Sequence, residues 1–416
     1  MITCWLGRGL ERIFSAALLA VSVTAVAWPA RAQTVLFDGN RPDEPTVMAQ
    51  ATTQPRTIRA PTAAAVGESD IVGKVNNWTI GLAAGLPEGT FLPFAAEIAR
   101  NLNGTDELRV LPIVTPGATE NVKDLLYLKG VDIAITHTDV FEHFRTVEKI
   151  ANIEKRVNYI TGLYVSEIHL VVRPEINSIQ DLAGKKVSFH TAGSGSTVTG
   201  PIVFQRLGVK VEPVFISNQV ALEKMKTGEI AGFIHNGGKP NNLIARFKND
   251  SGFKLLEIPF DKFDEYYVPA ILTAEDYPNF LKPGQKIETI AVPAVLAVFN
   301  WPRSSDRFRR VSRFIDQLFD KFERFKGPGY QPQWKDINLA SQVPGWTRYY
   351  AAEEKLKQQL GSIPASVAAP GGAASASRID TLLARQQAAR VAPDDPAEQE
   401  RLFQRFLEWS RQQAKR

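Results

Sequence analysis

The stretch WTIGLAAGLPEGTFLPFAAEIARNLN, residues 78–103, is one complete strand–turn–helix unit. Trp78-Thr-Ile-Gly-Leu-Ala83 is a β run, Gly85, Pro87 and Gly89 punctuate a turn, and Phe94, Ile98 and Leu102 then recur every fourth residue, as on one face of a helix. The alternation continues along the chain. Strands are expected at 108–113, 131–135, 168–172, 186–189, 211–216 and 231–234. Helices are expected at 118–127, 179–182, 198–207, 218–226 and 305–325, with further apolar strand material at 287–299. Strands separated by helical segments imply parallel β-α-β units with helices on both faces of the sheet. They fall into two clusters, 78–159 and 168–258, and the chain returns to the first after 287. The expected fold is α/β and two-lobed, each lobe a mainly parallel sheet flanked by helices, with a cleft between the lobes.

In such sheets ligands sit beyond the carboxyl ends of the strands, near helix N-termini whose free N–H groups attract anions. Five loops occupy those ends: AGLPEGTF (84–91), TPGATEN (115–121), THTD (136–139), HTAGSGST (190–197) and HNGGKPN (235–241). Each joins small polar side chains to glycine, and their number is the signal. The segment VSFHTAGSGSTVTG (187–200) has neither G-x-x-x-x-G-K-[ST] nor G-x-G-x-x-G, which argues against a nucleotide loop. It has no G-x-S-x-G elbow either, so a hydrolase nucleophile has little support. Ser194, Ser196 and Thr197, with the N–H groups of the following helix, suit a carboxylate; the alternative is a solvent-facing helix cap. His137, His190 and His235 each follow an expected strand. They would either contact ligand in neutral form or, with Asp139, approach a metal, although no short H-x-x-x-H spacing supports metal. Glu88 suits an amine and Lys239 an anion, which together hint at a mixed or zwitterionic ligand. Tyr266 and Tyr267 would cover the cleft or fill core; His143 and His169 read as structural.

The 416 residues carry a net charge of +5 with no dense Lys/Arg run, so nucleic acid is not an expected partner. Arg8 and Arg12 precede an apolar run that ends in Pro-Ala-Arg-Ala, the pattern of a secretory signal peptide (1–32) cleaved after Ala32. Cys4, the only cysteine, lies within it, so neither disulfides nor thiolate chemistry is expected of the exported chain. Residues 33–74 read as a flexible linker and 362–378 as a second, low-complexity one. They bracket lobe 1 (75–165, completed by 287–361) and lobe 2 (166–286), and a helical tail follows at 379–416.

Taken in order, the segments IGLAAGLPEGTFLPFAAEIARNLN, VTPGATENVKDLLYLKGVDIAITHTDVF, LVVRPEINSIQDLAGKKVSFHTAGSGSTVTG and FIHNGGKPNNLI resemble the TAXI-type solute receptors of tripartite ATP-independent periplasmic (TRAP) transporters. The resemblance spans about 75–360. It implies a class II periplasmic-binding fold and a periplasmic location. It also implies capture of a small solute, such as an amino acid or dicarboxylate, for the membrane permease subunits of the transporter, with no catalysis and no cofactor. The family's ligand-facing loops correspond to Gly89, Thr90 and Phe91; to Asn121; to His137, Thr138 and Asp139; to Ser194, Gly195, Ser196 and Thr197; and to Gly237, Gly238, Lys239 and Pro240. His190, His235, Glu88 and Tyr267 join them from the reading of the loops. The competing readings are a secreted enzyme using His137, Asp139 and a serine of 194–197, and a sensory binding protein that signals to a membrane kinase.

Overall fold

The computed structural model describes residues 67–104, 108–263, 266–361 and a few positions between 396 and 404. The expected signal peptide, most of the first linker, the low-complexity linker and nearly all of the tail lie outside these residues. In chain order the elements are α1 (Glu68–Asn77), β1 (Thr79–Ala83), α2 (Phe91–Leu102), β2 (Arg109–Ile113), α3 (Ala118–Tyr127), β3 (Ile133–His137), α4 (Thr138–Thr146), α5 (Ile153–Arg156) and β4 (Val157–Val172). They continue with β5 (Lys186–Ser188), α6 (Ser196–Arg206), β6 (Glu212–Val214), α7 (Asn218–Lys226), β7 (Gly232–Gly237), α8 (Asn242–Arg246) and β8 (Lys254–Leu256). The last are β9 (Val268–Thr273), β10 (Lys286–Phe299), α9 (Asp306–Asp320) and α10 (Tyr350–Gly361).

The strands run in the order β2-β1-β3-β10-β4-β7-β5-β6, with β8 added to β4 and β9 to β10. β1 is parallel to β2 and β3, and β5 is parallel to β6 and β7, so the expected parallel units are present twice. β4 and β10 are antiparallel to each other and join the two sets. Both are long, and each contributes its two ends to different cores. Tyr164 of β4 and Ala294 of β10 belong to a core with Leu82, Phe94, Ile98, Phe314 and Trp334. Ile168 and Val292, a few residues away on the same two strands, belong to a core with Val187, Phe204, Ile234 and Tyr267. Because side chains alternate along a strand, Leu170 and Val172 face that core while Val171 faces a third one, with Phe233, Phe253 and Tyr277, on the other face of the sheet. The molecule thus has two α/β halves joined at 164–168 and 292–294. The pairing of β4 with β10 shifts register between Pro293 and Val295, where the cores change over.

Three local expectations change. β4 covers 16 residues where only 168–172 was expected to be strand, because the apolar alternation continues unbroken from one half into the other. The end of the segment read as a tether is helical: α1 runs from Glu68 to Asn77 and buries none of its residues, which explains its weak apolar pattern. The helix expected at 305–325 stops at Asp320 and continues as a 3-10 turn, Phe322–Lys326. Among the described residues no helix is long and apolar enough to cross a membrane.

Candidate functional site

Three helices begin at one place. Phe91, Ala118 and Ser196, the first residues of α2, α3 and α6, all line a cavity of about 50 Å³ at the junction of the two halves. The first-turn N–H groups of a helix have no partner within it, and at three of the described helices a side chain supplies one. Ser217 caps α7, Asn241 caps α8 and Ser305 caps α9. The residues before α2, α3 and α6 are Thr90, Gly117 and Gly195, and none caps its helix with a side chain. In the first turns the Glu120 N–H donates to the Gly193 carbonyl, the Thr197 and Val198 N–H groups to the Ser194 and Gly195 carbonyls, and residue 93 is proline, so what each helix start presents to the cavity is its first residue, Phe91, Ala118 or Ser196.

Histidines from both halves close the cavity. His137, at the end of β3, is 3% exposed and places its ring 4.9 Å from that of Phe91. Its Nε2 lies 2.9 Å from the Ser166 hydroxyl, and its Nδ1 has no partner. Burial pushes His137 down to about 3, so it is neutral at physiological pH. His235, on β7, is held well below its ordinary range by burial and by neighbouring histidines. Its tautomer follows from its neighbours. The Asn241 side-chain oxygen accepts from the N–H groups of Leu243 and Ile244, so the Asn241 amide must donate to His235 Nε2, at 2.9 Å. The proton of the neutral ring therefore sits on Nδ1, 2.8 Å from the Asn218 side-chain amide, which must present its oxygen to it. Behind this pair the Asn241 N–H donates to the Tyr277 hydroxyl, which lies 2.6 Å from His169 Nε2. His169 is buried and held at about 4, a structural role as expected.

The two halves touch directly around the cavity. The Gly238 N–H donates to Thr90 Oγ1 at 3.0 Å, the Glu120 N–H to the Gly193 carbonyl at 2.9 Å, and the Thr119 hydroxyl to the Ser194 carbonyl at 2.8 Å. The Gln333 amide donates to the Lys239 carbonyl at 2.9 Å. Asp139, at the start of α4, accepts from the Thr199 hydroxyl at 2.5 Å and the Tyr267 hydroxyl at 3.0 Å, both from the other half. Burial raises this carboxyl to about 6 against the opposing effect of those two bonds. A second hollow, of about 460 Å³, lies at this contact between α4 and α6 and is lined by His143, Thr146, Gln205 and Arg206. Removing one inter-half bond tests the arrangement gently. Thr90→Val keeps shape and leaves the Gly238 N–H without its acceptor, so the contact between the halves should weaken by about 1 kcal/mol, read as a lower urea midpoint.

Of the expected site residues, Gly89, Thr90, Phe91, His137, His190, Ser194, Gly195, Ser196, His235 and Gly237 line the cavity together. The rest do not line it. Glu88 stands beside it, with Oε1 3.7 Å from His190 Nε2. Asn121 uses its amide to tie the Ala84 and Ile135 carbonyls and its oxygen to accept from Thr115, so it braces the loops. Thr138 is buried one residue beyond His137, and Asp139 and Tyr267 form the contact described above. The Thr197 hydroxyl turns back to the Ser194 carbonyl. The Gly238 N–H is spent on Thr90. The Lys239 ammonium is drawn 3.4 Å from Asp276 and to the Ile271 carbonyl, and Pro240 leads into the cap of α8. Seven lining residues were not among the expected ones: Gly85, Leu86, Pro116, Gly117, Ala118 and Asn236 stand in loops already singled out, and only Tyr164 lies outside them. Tyr164 sits mid-strand in β4, and Asn236, which accepts from the Ser196 hydroxyl at 3.2 Å, is one residue from two that were chosen. Among the described residues no three His, Cys, Asp or Glu side chains stand close enough to share a metal ion.

Comparison with solved structures finds similar chains at low identity. The periplasmic binding protein BugD is 13% identical over 68% of this chain and 94% of its own, with a TM-score of 0.41. The alkanesulfonate-binding protein SsuA from Xanthomonas axonopodis pv. citri, bound to MOPS, is 12% identical over 67% and 83%, with a TM-score of 0.39. The amino acid ABC transporter substrate-binding protein AbpA from Streptococcus pneumoniae, bound to L-arginine, is 14% identical over 62% and 96%, with a TM-score of 0.35. The profile of the NMT1-like family matches residues 82–302, more than half of the chain and all five cavity-facing loops. This chain belongs to the NMT1-like family.

Proposed function

We propose that this protein is a periplasmic solute receptor of the TAXI type. It would capture a small organic solute, an amino acid or carboxylate, between lobe 1 (75–165 with 287–361) and lobe 2 (166–286), and deliver it to the permease of a TRAP-type transporter. The observation that carries this reading is the convergence of three uncapped helix N-termini on one cavity at the seam of two cores. Such a site binds by fixed dipoles and needs both halves to be complete, so ligand stabilises the closed arrangement and the closed form is what the permease recognises. Residues 1–32 export the chain.

A reading without covalent chemistry is supported by the serines. Ser196 donates to Asn236 and Ser194 points at the Phe189 carbonyl, so neither is paired with a base. Ser166 does approach His137, but it is fully buried, and no carboxylate orients the far ring nitrogen as a hydrolytic triad requires. A thermal-denaturation screen with amino acids, dicarboxylates and 2-oxo acids tests the proposal. A true solute at about 100 times its Kd stabilises by about 2.7 kcal/mol. A melting temperature that ignores every small solute and responds only to a partner protein would refute it.

A further inference from the structure

No lysine or arginine lines the cavity. Lys239, the cation closest to it along the chain, is engaged by Asp276 and the Ile271 carbonyl. Positive potential comes instead from the N-termini of α2, α3 and α6. Each is equivalent to roughly +0.5 elementary charge, so together they balance one anionic group and fall short of two. Two buried ring nitrogens without a hydrogen-bond partner belong to residues that line the same space, His137 Nδ1 and His190 Nε2, 3% and 5% exposed as residues, and the Tyr164 hydroxyl lines it beside Thr90 and Ser166. His137 Nδ1 is aimed at the start of α6: a Cβ built on Gly195 would lie 2.6 Å from it. The neutral ring meets the Ser166 hydroxyl through Nε2, and in the tautomer in which that hydroxyl donates, Nδ1–H is free to donate to an oxygen in the cavity. The volume, about 50 Å³, holds about four water-sized groups.

Resting on the receptor reading above, we propose that the solute is a compact monoanion: one carboxylate, or an oxyanion of that size, on a short uncharged body. Its charged end is held at the starts of α2, α3 and α6, by the first residues Phe91, Ala118 and Ser196, and by His137, with no lysine or arginine. A second negative charge is rejected, because no lysine or arginine lines the cavity and the lining histidine nearest a carboxylate, His190, already faces Glu88 at 3.7 Å. A cation is rejected by the same helix ends that hold the anion.

The test is calorimetry of the exported chain near neutral pH with charge-matched probes. These are acetate, propionate and lactate, the neutral isostere propionamide, the dianions malonate and succinate, and propylamine. The tightest member should be a monoanion, with the amide, the dianions and the amine at least tenfold weaker, and Gly195→Ala should weaken its binding at least fivefold. A dianion, amide or amine that binds as tightly as the best monoanion overturns the monoanion assignment and leaves the receptor reading standing. If no probe binds but the wider thermal screen finds a solute, its charged groups decide: a single anionic group supports the assignment and any other pattern overturns it. If nothing binds in either assay, the receptor reading itself fails.

Discussion

Gly195→Ala should weaken solute binding by about one to two orders of magnitude while leaving the unfolding of the ligand-free protein nearly unchanged. A Cβ at this position would lie 2.6 Å from His137 Nδ1, 3.1 Å from its Cε1 and 3.4 Å from the Ala118 Cβ. The imidazole has no room to retreat, since it is fixed between the Phe91 ring and the Ser166 hydroxyl. Overpacking of this kind costs about 1–3 kcal/mol. On the proposed receptor reading the cost falls on closure alone, because Gly195 belongs to one half and His137 and Ala118 to the other. The apparent affinity drops by the same free energy, about 5- to 150-fold. Gly200→Ala is the contrast. Its Cβ would lie 2.9 Å from Phe189 within one half, so that variant should lose stability outright. Urea unfolding without ligand and calorimetry with it separate the two; equal losses of affinity and stability in Gly195→Ala would show that the seam is in the wrong place.

Lowering the pH from about 8 to about 5 should cost the folded protein several kcal/mol. The sign follows from which form is buried. His137 and His169 are held at about 3 and about 4, against an ordinary 6.5, because burial disfavours the imidazolium. A depressed value contributes stability that is full above 6.5 and is lost as the pH falls from there toward 3 or 4. At pH 5 each of these histidines costs about 2 kcal/mol relative to its neutral state. His235, shifted in the same direction, adds to the loss. Asp139 acts oppositely: its raised value favours the folded state below 3.8, an advantage lost as the pH rises through about 6, so at pH 5 it offsets about 1 kcal/mol. Urea midpoints at three pH values read the sum. His137→Gln should flatten the slope by its share, whereas stability that stays level or rises on acidification would contradict the neutral-histidine account.

The fold was legible because each strand–turn–helix unit carries its own punctuation, and 78–103 shows all of it. The cavity loops were legible for the same reason, since ligands collect where strands end. What stayed hidden depends on distant partners. Tyr164 lies inside VNYITGLYVSEIHLVV, where the alternation of β4 runs through from one core to the next with no turn to mark the crossing. Asp139 and Tyr267 both read as cleft residues, yet they meet each other across 128 positions of sequence. Lys239 reads as a free cation until Asp276 is placed beside it. The loops also suggested that hydroxyls would clasp the ligand. In the structure the serine and threonine hydroxyls mostly answer local carbonyls, and the helix ends and His137 face the cavity.

The central claim is that solute closes two halves about β4 and β10, and it can be measured directly. Cys4 is the only native cysteine and lies in the expected signal peptide, so introduced cysteines label cleanly. Thr146→Cys on α4 and Gln205→Cys on α6 place exposed labels on opposite sides of the seam, where both residues line the same hollow. Pulsed electron resonance should give a broad or long distance distribution without solute and a single short distance with it. A solute that binds by calorimetry and leaves the distribution unchanged would contradict closure.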